Sequence, residues 1–150
     1  MKTLIFFLFI GSLAVSIPAI AQNNYTQNFD KRVKMSHIIL EKQPTTANIK
    51  DILTDGFKLD SANTTGYYIT CPDKIQIIAY LYLGTERTVA VGFYEKNEAK
   101  KDIYDFTANE LKYTYIASEH MCDYYKKEES SIRFCPNMNK GLMVYIEIFK

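Results

Sequence analysis

The sequence predicts an α+β fold, a single small domain with a mainly antiparallel β-sheet and one or two short helices. Two runs of alternating apolar residues, 75–83 and 88–95, flank a short turn that contains glycine, and a third such run occupies 142–148. The segments with helical periodicity are few and short. A chain of 150 residues is long enough for one domain to bury a hydrophobic core without metals or several disulfides.

Residues 1–21 have the three parts of a secretory signal peptide. Lys2 supplies the positive start, an apolar run follows it, and small side chains at 19–21 precede the predicted cleavage site. The apolar run is shorter than the roughly 20 residues that cross a bilayer core, so we expect cleavage rather than anchoring. The expected product is a domain at 22–150 that is secreted or periplasmic and not embedded in a membrane.

The charge of the chain argues against nucleic acid as a partner. The chain carries 18 Lys and Arg against 17 Asp and Glu, and Lys2 belongs to the signal, so the mature chain has no net charge. The short basic runs at 31–34 and 126–127 are typical of solvated faces. Residues 22–28 are rich in Asn and Gln and predict a flexible leader before the folded domain.

The first third of the mature chain gives one undecided segment and one short helix. Residues 33–39 fit a strand and a helix equally well, because their apolar residues alternate and also recur at helical spacing. After this segment, Thr46 can cap a short helix that ends at Gly56, a residue suited to the left-handed turn after a helix. The buried face of this helix is predicted to carry three apolar residues, Ile49, Ile52 and Leu53.

An antiparallel hairpin is the firmest structural prediction. The odd positions of 75–83 are all apolar, and Val89, Val91 and Phe93 are expected to point inward from the second strand. The connection at 84–87 is short and contains glycine, which favours a hairpin turn.

The second half combines a helix with strands. Asn97 can cap a helix that runs to about Phe106, and helical and strand patterns compete over 107–127, where we favour strand. The last strand has one apolar face, formed by Leu142, Val144, Ile146 and Ile148. Its opposite face carries Met143, Tyr145 and Glu147.

The three cysteines all follow the signal, and in an oxidising compartment two of them are expected to pair. We favour Cys122 with Cys135, because folding the intervening residues into a hairpin sets the two sulfurs opposite each other and Tyr125 opposite Ile132. Cys71 would then be a small buried hydrophobe or a thiol for an intermolecular bond.

Two chemical functions are alternatives to simple binding. A metal-binding protein could use His120, Cys122 and Cys135, since imidazole and thiolate ligands suit zinc or cuprous copper, although the disulfide uses the same sulfurs. A small secreted hydrolase could use Cys71 as nucleophile with His37 or His120 as base. The sequence has no G-x-S-x-G, H-E-x-x-H or glycine-rich phosphate motif and indicates no cofactor, so it favours a non-enzymatic role.

The favoured function comes from the second face of the predicted sheet. Period-2 alternation points four tyrosines away from the core, Tyr80, Tyr82, Tyr94 and Tyr145. Tyrosine offers a large contact area with a polar tip and is frequent in protein interfaces, and its flat ring also suits sugars. The sequence therefore predicts a binding or inhibitory module for a protein or glycan partner, unless a helix covers this face. It carries no signal for an oligomeric state.

Overall fold

A computed structural model describes residues 16–96, 101–136 and 141–148, with side chains from Tyr25 onward. Its helices are α1 (Ser16–Lys42), α2 (Ile49–Ile52) and α3 (Lys101–Glu110). Its strands are β1 (Lys58–Asn63), β2 (Gly66–Thr70), β3 (Gln76–Leu81), β4 (Thr88–Glu95), β5 (Thr114–Glu119), β6 (Cys122–Lys127), β7 (Ser130–Pro136) and β8 (Leu142–Ile148). The described strands form one antiparallel sheet, which confirms the predicted α+β class.

The order of the sheet is symmetric about its centre. The strands run β1-β2-β3-β4-β8-β7-β6-β5, so each half of the chain contributes a helix followed by a four-stranded meander. The last strand of each meander, β4 and β8, pairs antiparallel with the other at the centre of the sheet. The first strand of each meander lies at an edge.

Helix α1 resolves the undecided segment at 33–39 in favour of a helix and is longer than the short helices predicted. It packs on β3, β4 and β8. The fully buried Phe29 ring lies 6.1 Å from the ring of Phe93 and 6.3 Å from that of Phe134. The apolar stripe of α1 therefore forms one wall of the core, and the inner face of the sheet forms the other.

The predicted leader at 22–28 lies within α1 in the structure rather than in an irregular segment. Tyr25 and Phe29 are one helical turn apart, and their rings lie 6.5 Å from each other, so packing extends the helix into the polar segment. Of the predicted signal peptide, residues 1–15 lie outside the described residues. In the part of the chain that the structure covers, no helix combines the length and apolar character needed to cross a membrane.

The helix predicted to begin at Thr46 is shorter than expected. Only Ile49–Ile52 is helical, and no side chain caps it, because the Asn48 Oδ1 atom accepts a hydrogen bond from the Thr45 backbone at 2.7 Å. Gly56 takes the expected left-handed conformation, with φ +84°, in the turn that leads into β1.

The predicted hairpin is confirmed as β3 and β4, with Ala79 opposite Val91. The prediction that Val89 points inward is wrong. The ladder shifts register next to Tyr80, so Thr88 takes the buried position and Val89 is half-buried. The last strand is β8, which has the predicted one-faced pattern, with Leu142, Val144 and Ile146 buried.

Helix α3 continues to Glu110, one turn beyond the predicted end at Phe106. Lys112 then adopts a φ of 64° and turns the chain into β5, so the ambiguous segment 107–127 is helical only at its start. The predicted cap, Asn97, lies outside the described residues. The helix packs against α1, which places both long helices on the same face of the sheet.

The predicted disulfide is present between Cys122 and Cys135, whose Cα atoms are 4.1 Å apart. The register of the hairpin formed by β6 and β7 sets Tyr125 opposite Ile132, as expected. Cys71 is buried and forms no disulfide in the structure, which agrees with a role as a small core residue.

Candidate functional site

The outer face of the sheet is the candidate binding surface. Phe29 of α1 and Tyr104 of α3 both pack against Phe134, which points to the inner face, with the Tyr104 and Phe134 rings 4.6 Å apart. Residues on adjacent positions of a strand point to opposite faces. The bodies of α1 and α3 therefore pack on the inner face rather than over the tyrosines of the outer face.

Cross-strand pairing gathers the tyrosines at the centre of this face. Ile78 lies opposite Tyr68 on β2 and opposite Gly92 on β4, and Gly92 in turn lies opposite Tyr145 on β8. Directly paired residues point to the same face of a sheet. We call the outer surface formed by Tyr68, Tyr80, Tyr94 and Tyr145 the tyrosine face.

Three of the four predicted tyrosines line one cavity of about 730 Å³ on this surface, Tyr80, Tyr94 and Tyr145. Its apolar lining also includes Ile78, Gly92 and Met143, and the cavity reaches Tyr25 and Asn28 of α1. Charged side chains line it as well, the exposed Asp73, Lys74 and Lys96 and the buried Glu95. The structure places Tyr82 outside the cavity, just past the end of β3.

Gly92 permits the position of the Tyr145 ring. A Cβ atom at residue 92 would stand 3.0 Å from the Cδ1 and Cε1 atoms of Tyr145, closer than an ordinary van der Waals contact. From β7, the neighbouring strand on the opposite edge of β8, the Arg133 guanidinium lies 5.7 Å from the centre of the same ring, and its Nη2 atom donates to Glu147 at 2.7 Å. The glycine and the ion pair together fix the ring over β4.

The phenol group of Tyr80 acts as a neutral hydrogen-bonding group. Burial, with smaller contributions from Tyr145 and Tyr68, raises the pKa of Tyr80 above its ordinary value of 10. The Tyr80 side chain is still reachable, because the residue is 39% exposed. The ring of Tyr94 occupies the space beside Gly141 that a Cβ atom would fill. The tyrosine face thus offers aromatic surface with O–H groups at its edges.

A buried charge cluster lies beside the cavity, and the sequence analysis missed it. Arg32, interpreted from its basic run as solvated, is 1% exposed and forms ion pairs with Asp73 and Glu95. Its guanidinium also lies 5.5 Å from the centre of the Phe93 ring. Two carboxylates around a buried guanidinium satisfy a charge that would otherwise be costly to bury, so the cluster ties α1 to the sheet.

The ligand set proposed for a metal is not assembled. Cys122 and Cys135 are joined in the disulfide, so neither sulfur is a thiolate. His120 lies in the turn between β5 and β6, with φ 49°. Within the described ranges, no group of three or more His, Cys, Asp or Glu side chains is arranged to hold a metal ion.

The residues proposed for a hydrolase are not brought together either. Burial raises the pKa of the Cys71 thiol to about 12, and the charged groups that act on it are Arg32, Asp73 and Glu95 rather than a histidine. His37 lies elsewhere in the fold, with its Nδ1 atom 3.2 Å from the hydroxyl of Tyr113. A buried thiol without a base is a poor nucleophile.

Comparisons of this chain with protein-family models, with curated proteins and with solved structures found no match. Sequence reasoning found Tyr80, Tyr94 and Tyr145 but missed their neighbour Tyr68. The alternation of the short segment before Cys71 carries the signal that could have placed Tyr68 on the same face.

Proposed function

We propose that the protein is an exported, non-enzymatic binding module that captures a protein partner on the tyrosine face. One observation carries this proposal: Tyr80, Tyr94 and Tyr145 of the outer sheet face line one cavity, which Tyr25 and Asn28 of α1 also line. Large exposed aromatic clusters on a folded domain mark interaction surfaces. If the captured partner is an enzyme whose cleft is covered, the module acts as an inhibitor.

The composition of the surface favours a protein over other partners. Aromatic residues and methionine are enriched at the centre of protein interfaces, while charged residues are found mainly at the rim. The cavity follows this arrangement, with Met143 among its tyrosines and Asp73, Lys74 and Lys96 around it. Tyrosine also loses little conformational entropy when it is immobilised, which is why it is common in binding surfaces.

A glycan is the second candidate, and one observation favours it. The Tyr145 ring extends over Gly92, and a ring held in this way can present an aromatic surface on which a sugar ring could stack. The Arg133–Glu147 ion pair lies beside this ring and could bind sugar hydroxyls. Because of this arrangement, the test compares binding of glycans with binding of proteins.

The test combines Tyr80→Ala with Tyr82→Ala. Both residues are substantially exposed, at 39% and 62%, so the double variant is expected to fold with an unchanged melting temperature. Partners captured from the exported fraction by the wild-type protein are purified and their affinities measured by calorimetry. We expect the double variant to lose affinity by about 30-fold or more, the loss typical of a binding hot spot.

The matched control is Phe106→Ala on α3, an aromatic residue of similar exposure on the helical side of the sheet. This control should bind as the wild type does. Equal affinity of the wild type and the double variant would contradict the proposal. Binding to an oligosaccharide array, lost in the double variant while no protein is bound, would show that the partner is a glycan.

A further inference from the structure

The turn between β3 and β4 exposes two large apolar side chains next to each other. Leu83 is 85% exposed and Tyr82 is 62% exposed, and both lie just beyond the last residue of β3. Single exposed apolar residues are ordinary on protein surfaces. An adjacent pair at the tip of a hairpin is different, because neither side chain can be covered by its own strand.

Hydrogen bonds hold this turn in one conformation. The Tyr82 backbone N–H donates to the Arg87 carbonyl at 2.8 Å, and the Thr85 N–H donates to the Tyr82 carbonyl at 3.0 Å. The Thr85 hydroxyl adds two more bonds, donating to the Tyr82 carbonyl at 2.9 Å and accepting from the Arg87 N–H at 3.1 Å. Gly84, with φ +74°, supplies the left-handed residue that the turn needs.

A second contact ties the turn to the body of the domain. The Thr46 backbone N–H donates to the Glu86 Oε1 atom at 3.0 Å. Hydrogen bonding from Thr46 lowers the pKa of Glu86, so the carboxylate stays ionised and keeps this contact over the physiological range. The tip is therefore braced against the loop before α2.

A rigid apolar tip suits insertion into a partner. Burying a leucine side chain in an apolar cleft is favourable, and a preorganised turn loses little entropy on binding. A leucine gains nothing from stacking on a sugar, but it fits an apolar cleft in a protein. The chemistry of Leu83 therefore selects a protein over a glycan.

We infer that Tyr82 and Leu83 form an anchor that inserts into an apolar cleft of a protein partner, beside the contact made by the tyrosine face. The inference rests on the proposed function and names the part of the partner that is recognised. Tyr80 and Tyr82 are two residues apart, a distance of about 7 Å along a strand. One partner surface can therefore cover both the tip and the tyrosine face.

The first experiment introduces the photo-crosslinking residue p-benzoylphenylalanine at position 83 and, as a matched control, at Met121, a 73% exposed apolar residue of the turn between β5 and β6 at the far edge of the sheet. Cells that export the protein are irradiated, and the crosslinked product is identified by mass spectrometry. We expect position 83, but not position 121, to crosslink to one protein, at residues that line an apolar cleft. Equal crosslinking from both positions, or none from position 83, would overturn the inference.

The second experiment measures the affinity of the purified partner by calorimetry. Leu83→Asp should weaken binding by about 30-fold or more, and Leu83→Met should stay within about 3-fold of the wild type. Thr85→Ala, which loosens the turn without changing the apolar tip, should give an intermediate loss. Circular dichroism and melting temperature check that each variant is folded.

The single variants separate this inference from the proposed function. If Tyr80→Ala weakens binding and Leu83→Asp does not, the anchor is wrong and the tyrosine face stands. If Leu83→Asp weakens binding and Tyr80→Ala does not, the anchor stands and the tyrosine face is wrong. A partner that proves to be a glycan, bound equally by Leu83→Asp, contradicts the anchor.

Discussion

The ring of Tyr145 on β8 occupies the space above Gly92 on β4 that any other residue at position 92 would fill with its Cβ atom. The two strands belong to different halves of the chain, so this contact joins the halves on the outer face. It also orients the ring that we place in the binding surface. The first prediction follows from this contact.

Gly92→Ala should displace the Tyr145 ring and lower the free energy of unfolding by about 1–3 kcal/mol, the usual cost of overpacking. Chemical denaturation of the wild type, Gly92→Ala, Tyr145→Ala and the double variant forms a double-mutant cycle. Gly92→Ala should lower the free energy of unfolding by much less when the Tyr145 ring has already been removed. Additive effects of the two substitutions would show that the ring does not depend on the glycine.

Arg32→Ala should destabilise the fold by about 3–5 kcal/mol, because it leaves the Asp73 and Glu95 carboxylates without their buried counter-charge. Lys34→Ala is the matched control on the same helix, since Lys34 forms an exposed ion pair with Glu110 at 2.6 Å. The control should change the free energy of unfolding by less than about 1 kcal/mol. Similar losses in both variants would indicate that the Arg32 cluster is not a specific anchor of α1.

Thiol reactivity should separate the three cysteines. Alkylation of the native protein should modify none of them, because Cys71 is buried and the other two are paired. Alkylation after denaturation should modify only Cys71, and reduction should expose all three, as read by intact mass. A native protein with three reactive thiols and the added mass of an ion would revive the metal-binding alternative.

Removing the disulfide should cost stability without removing the fold. The bond spans 13 residues, and closing such a loop contributes on the order of 3 kcal/mol in the chain-entropy model. The comparison is between the wild type and the Cys122→Ser/Cys135→Ser variant in denaturant, with reduced wild type as the control. The variant and the reduced protein should lose the same free energy, and a loss confined to the variant would point to packing of the serines instead.

The free energy of unfolding should decrease as the pH is lowered, because His37 becomes protonated. Burial and, to a smaller extent, Lys127 lower the pKa of His37 below its ordinary value of 6.5, while Glu41 acts in the opposite direction. The unfolded chain therefore binds a proton more readily than the folded one, so stability is highest above pH 6.5 and decreases as pH falls toward the folded pKa. His37→Gln should flatten the dependence of the unfolding free energy on pH between about pH 7 and pH 5, relative to the wild type. If the slope is unchanged in His37→Gln, carboxylates rather than His37 cause the pH dependence of the unfolding free energy.

The predictions that succeeded rest on local patterns. Alternation identified β3, β4 and β8 and put Tyr80, Tyr94 and Tyr145 on one face. In a strand with one buried face, apolar residues alternate with exposed ones, so the sequence shows which side chains point outward. Hairpin geometry identified the disulfide for the same reason. Tyr82 was placed correctly as exposed but not within the cavity, because β3 ends at Leu81.

The features that the sequence patterns missed or left open depend on distant partners. Arg32 is buried only because Asp73 and Glu95, which are 41 and 63 residues away, meet it in the fold. The segment at 33–39 became helical because its apolar residues pack on the sheet, and its alternation alone could not show this. Pairing of β4 with β8 skips α3 and the three strands between them, so nothing near either strand predicts it.

The central position of β8 has a consequence for how the protein is made. During synthesis the first meander emerges well before β8. Until β8 has also emerged, β4 is an unpaired edge strand and Tyr145 cannot pack over Gly92. The pairing that completes the sheet is among its most non-local contacts, and contacts of this kind form late and slowly. A new chain therefore completes the proposed binding surface only when β8 pairs with β4, in a late step of folding.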